Sequence, residues 1–263
     1  MDYILQILVQ FIFRVSFGLS LSMAITPSRL VTSGYYRVHL WVLMGMNTAA
    51  ALALYSSRAS FEAGLVSWSV VFVLAIALAV ISYCGSVFWL YEHAKGGHAA
   101  LFAVALISTA AALLGTPWPE QVTSAKLFAA MADLLSSGLL LGATLAAMFL
   151  GHWYLNTPGM KLLPLQRLVI LMMVAVAVRS AVCAFSIYLQ LVYGDNLTFL
   201  AWAFIALRWL SGLLGTLMLG VLTWQTLKIP NTQSATGILY AGVLLTFIGE
   251  LTSQLLSVDA LIR

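Results

Sequence analysis

Five charged side chains stand inside otherwise apolar stretches of this 263-residue chain: Arg14, Asp133, Arg179, Arg208 and Glu250. A charge near the middle of a bilayer costs at least about 2.5–3.5 kcal/mol on the lenient insertion scales, so each should face a partner or a cavity. Two kinds of chemistry suit the set. If the charges pair with one another, the arginine fork meeting a carboxylate with two hydrogen bonds, they lock helix against helix. If part of the set faces a cleft, arginine binds or polarises a carbonyl oxygen while Asp or Glu accepts or delivers a proton. A quinone head group asks for both, because its redox chemistry couples electrons to protons at carbonyl oxygens. Proton pathways and transported anions draw on the same residue types.

The remaining reactive residues point elsewhere. A membrane b-type haem takes two histidines on facing helices at matching depth. Of His39, His93, His98 and His152, only His39 and His152 meet that condition, and both sit beside aromatic residues, Trp41 and Trp153, where an aromatic belt is the simpler reading. His93 and His98 share a loop without further ligands, a poor metal site. Cys84 and Cys183 lie in apolar segments without CxxC spacing and read as small core residues. Neither haem nor metal is expected.

The elements that must position the charges follow from composition. Hydrophobic residues make up 62% of the chain and charged residues 8%, against about 25% charged in soluble domains. Lipid must therefore be the solvent, and only helices or closed barrels keep their backbone satisfied there. Read at ~20 apolar residues per span, the chain is expected to be an all-α, polytopic membrane helix bundle of about eight spans, a single transmembrane domain over 1–263. The spans are placed at roughly Tyr3–Ile25, Tyr36–Tyr55, Leu65–Tyr91, Ala99–Gly115, Lys126–Tyr154, Leu162–Tyr193, Leu197–Trp224 and Ala235–Ser257. The first lacks a basic n-region and is read as a retained span. Glu92–His98 is the most polar loop, and Thr116–Glu120, with two prolines, is a rigid turn. Asn231, Thr232 or Ser234 is expected to cap the last helix, and Gly138-Leu-Leu-Leu-Gly142 is a small-residue packing match.

Asp133 falls on span five, Arg179 on six, Arg208 on seven and Glu250 on eight. The connections after odd-numbered spans carry Arg29, Arg37, Lys95, Lys161, Arg167 and Lys228, against Arg58, Lys126 and Arg263 on the other side. By the positive-inside rule this puts both termini outside, with the two acids roughly two turns below the outer surface. The net charge of +4 is scattered rather than clustered, which excludes a nucleic-acid surface.

The string Leu244-Leu-Thr-Phe-Ile-Gly-Glu250-Leu resembles the last helix of the membrane-anchor subunits of DMSO-reductase-type respiratory enzymes, and Gly138-Leu-Leu-Leu-Gly142 is comparable to their small-residue fifth span. Gln254 departs from that pattern, standing where a basic residue is expected, and the histidine-bearing loop has no counterpart. The resemblance implies an eight-helix subunit of the bacterial inner membrane, exchanging electrons between quinol and an iron–sulfur partner on the outer face. Quinone is then the expected cofactor, handled by Asp133, Arg179, Arg208 and Glu250, and the subunit has no catalytic residues of its own. The competing classes are a transporter or channel for a small solute or protons, and a purely structural or assembly protein in which every charge pairs.

Overall fold

The computed structural model describes residues 2–59, 66–116, 124–157, 159–193, 197–229 and 231–262. All regular structure among them is helical, and it divides into two compact units, 1–118 and 119–263. Eight helices are long and apolar enough to cross a membrane.

The first unit holds α1 (Asp2–Ile25), α2 (Ser33–Ser56), α3 (Trp68–Leu90) and α4 (Ala94–Leu114). Here α1 packs on α2 and α4, and α3 packs on the same two helices, so the four close a ring. Two buried polar side chains of this unit bond within it: Asn47 Nδ2 donates to Ser16 Oγ at 3.0 Å, and the Tyr36 hydroxyl donates to the Thr26 carbonyl at 2.9 Å. Tyr36 also stacks on Trp89, ring centroids 4.1 Å apart, and a Cβ on Gly97 would strike the Trp89 ring. Glycine is therefore required there by close approach rather than by backbone angle.

The expected loop over Glu92–His98 is corrected by this unit, because α4 begins at Ala94. Glu92 takes a left-handed φ of 56° and reverses the chain, and His93 Nδ1 then accepts a hydrogen bond from the Gly96 N–H at 3.2 Å. An imidazole thus does the capping usually left to Ser, Thr, Asp or Asn. The signal was hidden because Lys95, Gly96, Gly97 and His98 look like loop composition, yet they form the first turn and a half of a helix.

The second unit holds α5 (Ser124–Asn156), α6 (Leu163–Tyr193), α7 (Phe199–Leu207), a π-helical stretch (Arg208–Gly215), α8 (Thr216–Lys228) and α9 (Thr232–Ile262). The segment from Phe199 to Lys228 is one span with an eight-residue widening in its middle. It runs antiparallel to α9, and three contacts fix the register. Arg208 meets Ser253, Gly212 meets Gly249 backbone to backbone, and Thr216 Oγ1 lies 3.0 Å from Thr246 Oγ1. Gly215 fits against Leu245 in the same ladder. On the other side α5 packs on α6 and α9, with Gly151 against Thr236.

Of the three candidate caps for α9, Asn231 holds the place: its Oδ1 accepts from the Ser234 N–H at 3.0 Å. Asn231→Ala removes that acceptor and is expected to lower stability by about 1 kcal/mol, read as a small drop in thermal midpoint in detergent with unchanged helicity. Of the turn expected over Thr116–Glu120, residues 117–120 lie outside the described residues.

Large apolar side chains are exposed along many of these helices, among them Leu106, Phe128, Phe199, Leu210, Met218 and Leu244. Apolar surface on this scale is unusual for a soluble protein, which rarely exposes patches beyond a few hundred Å². It is consistent with a bilayer around the helices.

Candidate functional site

The charge cluster is built by four elements of the second unit. On α5, Asp133, Ser136 and Ser137 are spaced three and four apart and so share one face. On α9, Glu250, Ser253 and Gln254 repeat the same spacing. Arg179 comes from α6 and Arg208 from the start of the π-helical stretch.

Arg179 is the hub. It has no exposed surface, and its guanidinium is bonded on every edge. Nε donates to Glu250 Oε1 and Nη2 to Glu250 Oε2, both at 2.9 Å, a two-point fork on one carboxylate. Nη1 donates to Asp133 Oδ1 at 2.6 Å, to the Asp133 carbonyl at 3.1 Å and to Ser136 Oγ at 3.3 Å. Nη2 also reaches Ser253 Oγ at 3.0 Å. A further donor, the Ser137 hydroxyl, approaches Glu250 Oε2 at 2.6 Å. One cation therefore satisfies both acids, and the triad alone carries one excess negative charge.

Arg208 supplies the missing positive charge without touching either acid. It is 7% exposed, and its Nη1 donates to Ser253 Oγ at 3.2 Å. Ser253 thus accepts from both arginines and joins Arg208 to the triad. Among the described residues no carboxylate oxygen lies within 4.0 Å of the Arg208 guanidinium, and its Nε has no hydrogen-bond partner. Summed over Asp133, Glu250, Arg179 and Arg208 the charge is zero, but its distribution is uneven: one arginine is saturated and the other is open.

Beside Arg208, the helix register sets Gln254 at the level of Leu207 and Arg208, one residue past Ser253. Gln254 is buried, and neither its Oε1 nor its Nε2 has a partner among the described residues. Buried polar atoms are nearly always bonded. Among the described residues of the second unit the exceptions are Arg208 Nε, the adjacent Trp209 Nε1 and both ends of the Gln254 amide; others, such as Gln6 Nε2 and Trp89 Nε1, lie in the first unit.

The structure brings together all four residues expected to form the cluster. It also adds Ser136, Ser137, Ser253 and Gln254. The two serines of α5 were legible only as a small-residue face; their spacing from Asp133, matched by that of Ser253 and Gln254 from Glu250, was the available signal. Arg14, read with the same set, is buried on α1 and belongs to the first unit.

The two histidines weighed as haem ligands fall in different units. His39 is buried, its Nδ1 2.6 Å from the Tyr35 carbonyl and its ring against Tyr35. The exposed His152 has its Nδ1 3.2 Å from the Tyr240 hydroxyl. Among the described residues no group of three or more His, Cys, Asp or Glu is placed to hold a metal ion. Cys84 is exposed and Cys183 buried, and both are free thiols.

Comparison with protein-family models, curated proteins and solved structures gives no significant match.

Proposed function

We propose that the chain is an integral membrane, quinone-interacting subunit of a redox complex, with Arg208 as the docking point for a head-group oxygen. One observation carries this reading: a buried guanidinium with an unpaired Nε–H and no carboxylate within 4.0 Å among the described residues, beside an arginine that is fully bonded. An uncommitted N–H in an apolar interior is costly unless something accepts from it. The acceptor must be able to reach a site among membrane-spanning helices, which favours an oxygen carried on an apolar molecule. A quinone is such a molecule, and its carbonyl is the matching acceptor.

Charge balance supports the same class. Because the four ionised groups already sum to zero, a neutral ligand adds to the site without leaving a net buried charge, whereas an anion bound at Arg208 would leave the cluster negative. In this reading Glu250 and Asp133 handle protons and Arg179 holds both carboxylates in place. Oxidation of one quinol releases two electrons and two protons; the electrons pass to an iron–sulfur or other redox partner. The chain then spans the bacterial inner membrane with both termini and the cluster toward the outer side, as the distribution of Lys and Arg suggests.

The test is purification in mild detergent, organic extraction for quinone and a reduced-minus-oxidised spectrum, on wild type and Arg208→Ala. Wild type is expected to retain quinone and the variant to retain at least about tenfold less, the loss of one charge-assisted hydrogen bond being worth about 1.5–3 kcal/mol. Wild type without quinone, in preparations that keep their helicity, sinks the proposal and leaves the cluster as a helix clamp.

A further inference from the structure

We infer that Gln254 is the specificity-determining residue of this site and that it makes the site prefer the hydroxyl-bearing, reduced head group over the carbonyl-bearing, oxidised one. The inference rests on the quinone reading above and concerns which redox state is held.

The argument is an inventory of donors and acceptors. Arg208 Nε has a hydrogen to give and nothing to accept it. That demand is met equally by a carbonyl or a hydroxyl oxygen. Gln254 presents two different demands from one buried amide: Nε2 needs an acceptor and Oε1 needs a donor. Exchanging the two amide atoms changes nothing, because both are without partners.

A quinone oxygen only accepts. Bound beside Gln254 it takes a hydrogen bond from Nε2 and leaves Oε1 unpaired in an apolar interior. A quinol oxygen accepts and also donates, so a single hydroxyl satisfies both ends of the amide. Sites built to hydrogen-bond a substrate hydroxyl discriminate strongly against analogues that lack the hydrogen, because the site's own buried group is then stranded. A basic residue at 254 would not have this property, since Lys and Arg offer donors only and accept nothing from a hydroxyl.

Three placements put Gln254 where this selection can act. It follows Ser253, which bonds Arg208 at 3.2 Å and Arg179 at 3.0 Å. It lies one helical turn from Glu250 on the same face of α9, within reach of the carboxylate proposed to take a proton. It is 5% exposed, so water does not compete freely for its amide.

The experiment embeds the full chain in lipid nanodiscs and titrates it anaerobically with a decyl-tailed benzoquinone and with the corresponding benzoquinol. Bound ligand is measured by extraction and corrected with empty nanodiscs. Wild type is expected to bind the quinol roughly tenfold more tightly than the quinone, the equivalent of about 1.4 kcal/mol. Gln254→Leu, close in size and with no polar atom to strand, is expected to lose more affinity for the quinol than for the quinone and to bring the two forms within about twofold. Gln254→Met repeats the test should the leucine variant fail to fold.

Equal binding of both forms by wild type overturns the inference while leaving the quinone reading intact. Persistence of the preference in the leucine and methionine variants also overturns it, because the selection then lies elsewhere. Binding of neither form by folded wild type overturns the quinone reading itself, and the inference with it.

Discussion

Arg179→Met is expected to be the most damaging single substitution in the cluster, costing about 3–5 kcal/mol of stability. Methionine fills much of the arginine's volume but strands Glu250, which is 1% exposed, and removes the main partner of Asp133. Breaking one side of a buried ion pair is far worse than replacing the whole pair, because the surviving charge is left in a medium that cannot solvate it. The companion variant Arg179→Met with Asp133→Asn and Glu250→Gln removes the stranded acids and should recover part of the loss, the remainder being the cost of leaving buried Arg208 without a compensating charge. Both are measured as SDS-titration or thermal unfolding in detergent. A single variant within about 1 kcal/mol of wild type would show that the triad does not hold α5, α6 and α9 together.

The same variants separate the two roles of the cluster. If the charges only lock helices, the triple variant, in which Arg208 alone keeps its charge, should support turnover like wild type once it folds. If Glu250 and Asp133 handle protons, the triple variant should fold and still bind the quinone, because Arg208 and Gln254 are untouched, yet fail to support turnover with a redox partner. A folded triple variant with undiminished turnover would assign the triad a structural role only.

Much of this arrangement is legible in the amino-acid sequence, for a definite reason. Eight apolar stretches of about the length needed to cross a bilayer announce themselves by their length and composition. Charges inside such stretches announce themselves too, because each is costly. What composition cannot tell is which charge takes which partner. Arg179 and Arg208 look equivalent in sequence, each an arginine well inside a span, yet one meets two carboxylates and the other meets a serine. That difference depends on the rotation of α6 and of the π-helical stretch about their own axes, which apolar sequence specifies weakly when nearly every face is hydrophobic. The beginning of α4 was concealed for a local reason: the cap is His93, and its first turn is rich in glycine.

The π-helical stretch was likewise invisible as such, though its glycines were not, and they carry the second large prediction. Gly212→Ala is expected to disrupt the second unit by more than the 1–3 kcal/mol typical of overpacking. A Cβ at Gly212 would lie 2.7 Å from the Gly249 Cα, and the obstacle is backbone rather than a side chain that can rotate away. Gly249→Ala meets the same wall from the other helix.

The consequence reaches the site through the register, because Gly212 and Gly249 lie one turn from Arg208 and Ser253 along the same antiparallel seam. Separating the two helices there lengthens the 3.2 Å bond between Arg208 and Ser253. Widening by one residue per turn is what π-helical backbone does, and such stretches recur at functional sites. Here it sets Gly212 against α9 while Arg208 enters the cluster. Gly237→Ala is the control, because a Cβ there meets nothing within 4 Å; inside a helix it should leave stability unchanged or raise it by up to about 1 kcal/mol. Gly212→Ala should fold poorly or, if it folds, lose quinone together with stability. A Gly212→Ala protein as stable as wild type would mean that α9 and the π-helical stretch do not meet backbone to backbone, and the level shared by Arg208 and Gln254 would have to be redrawn.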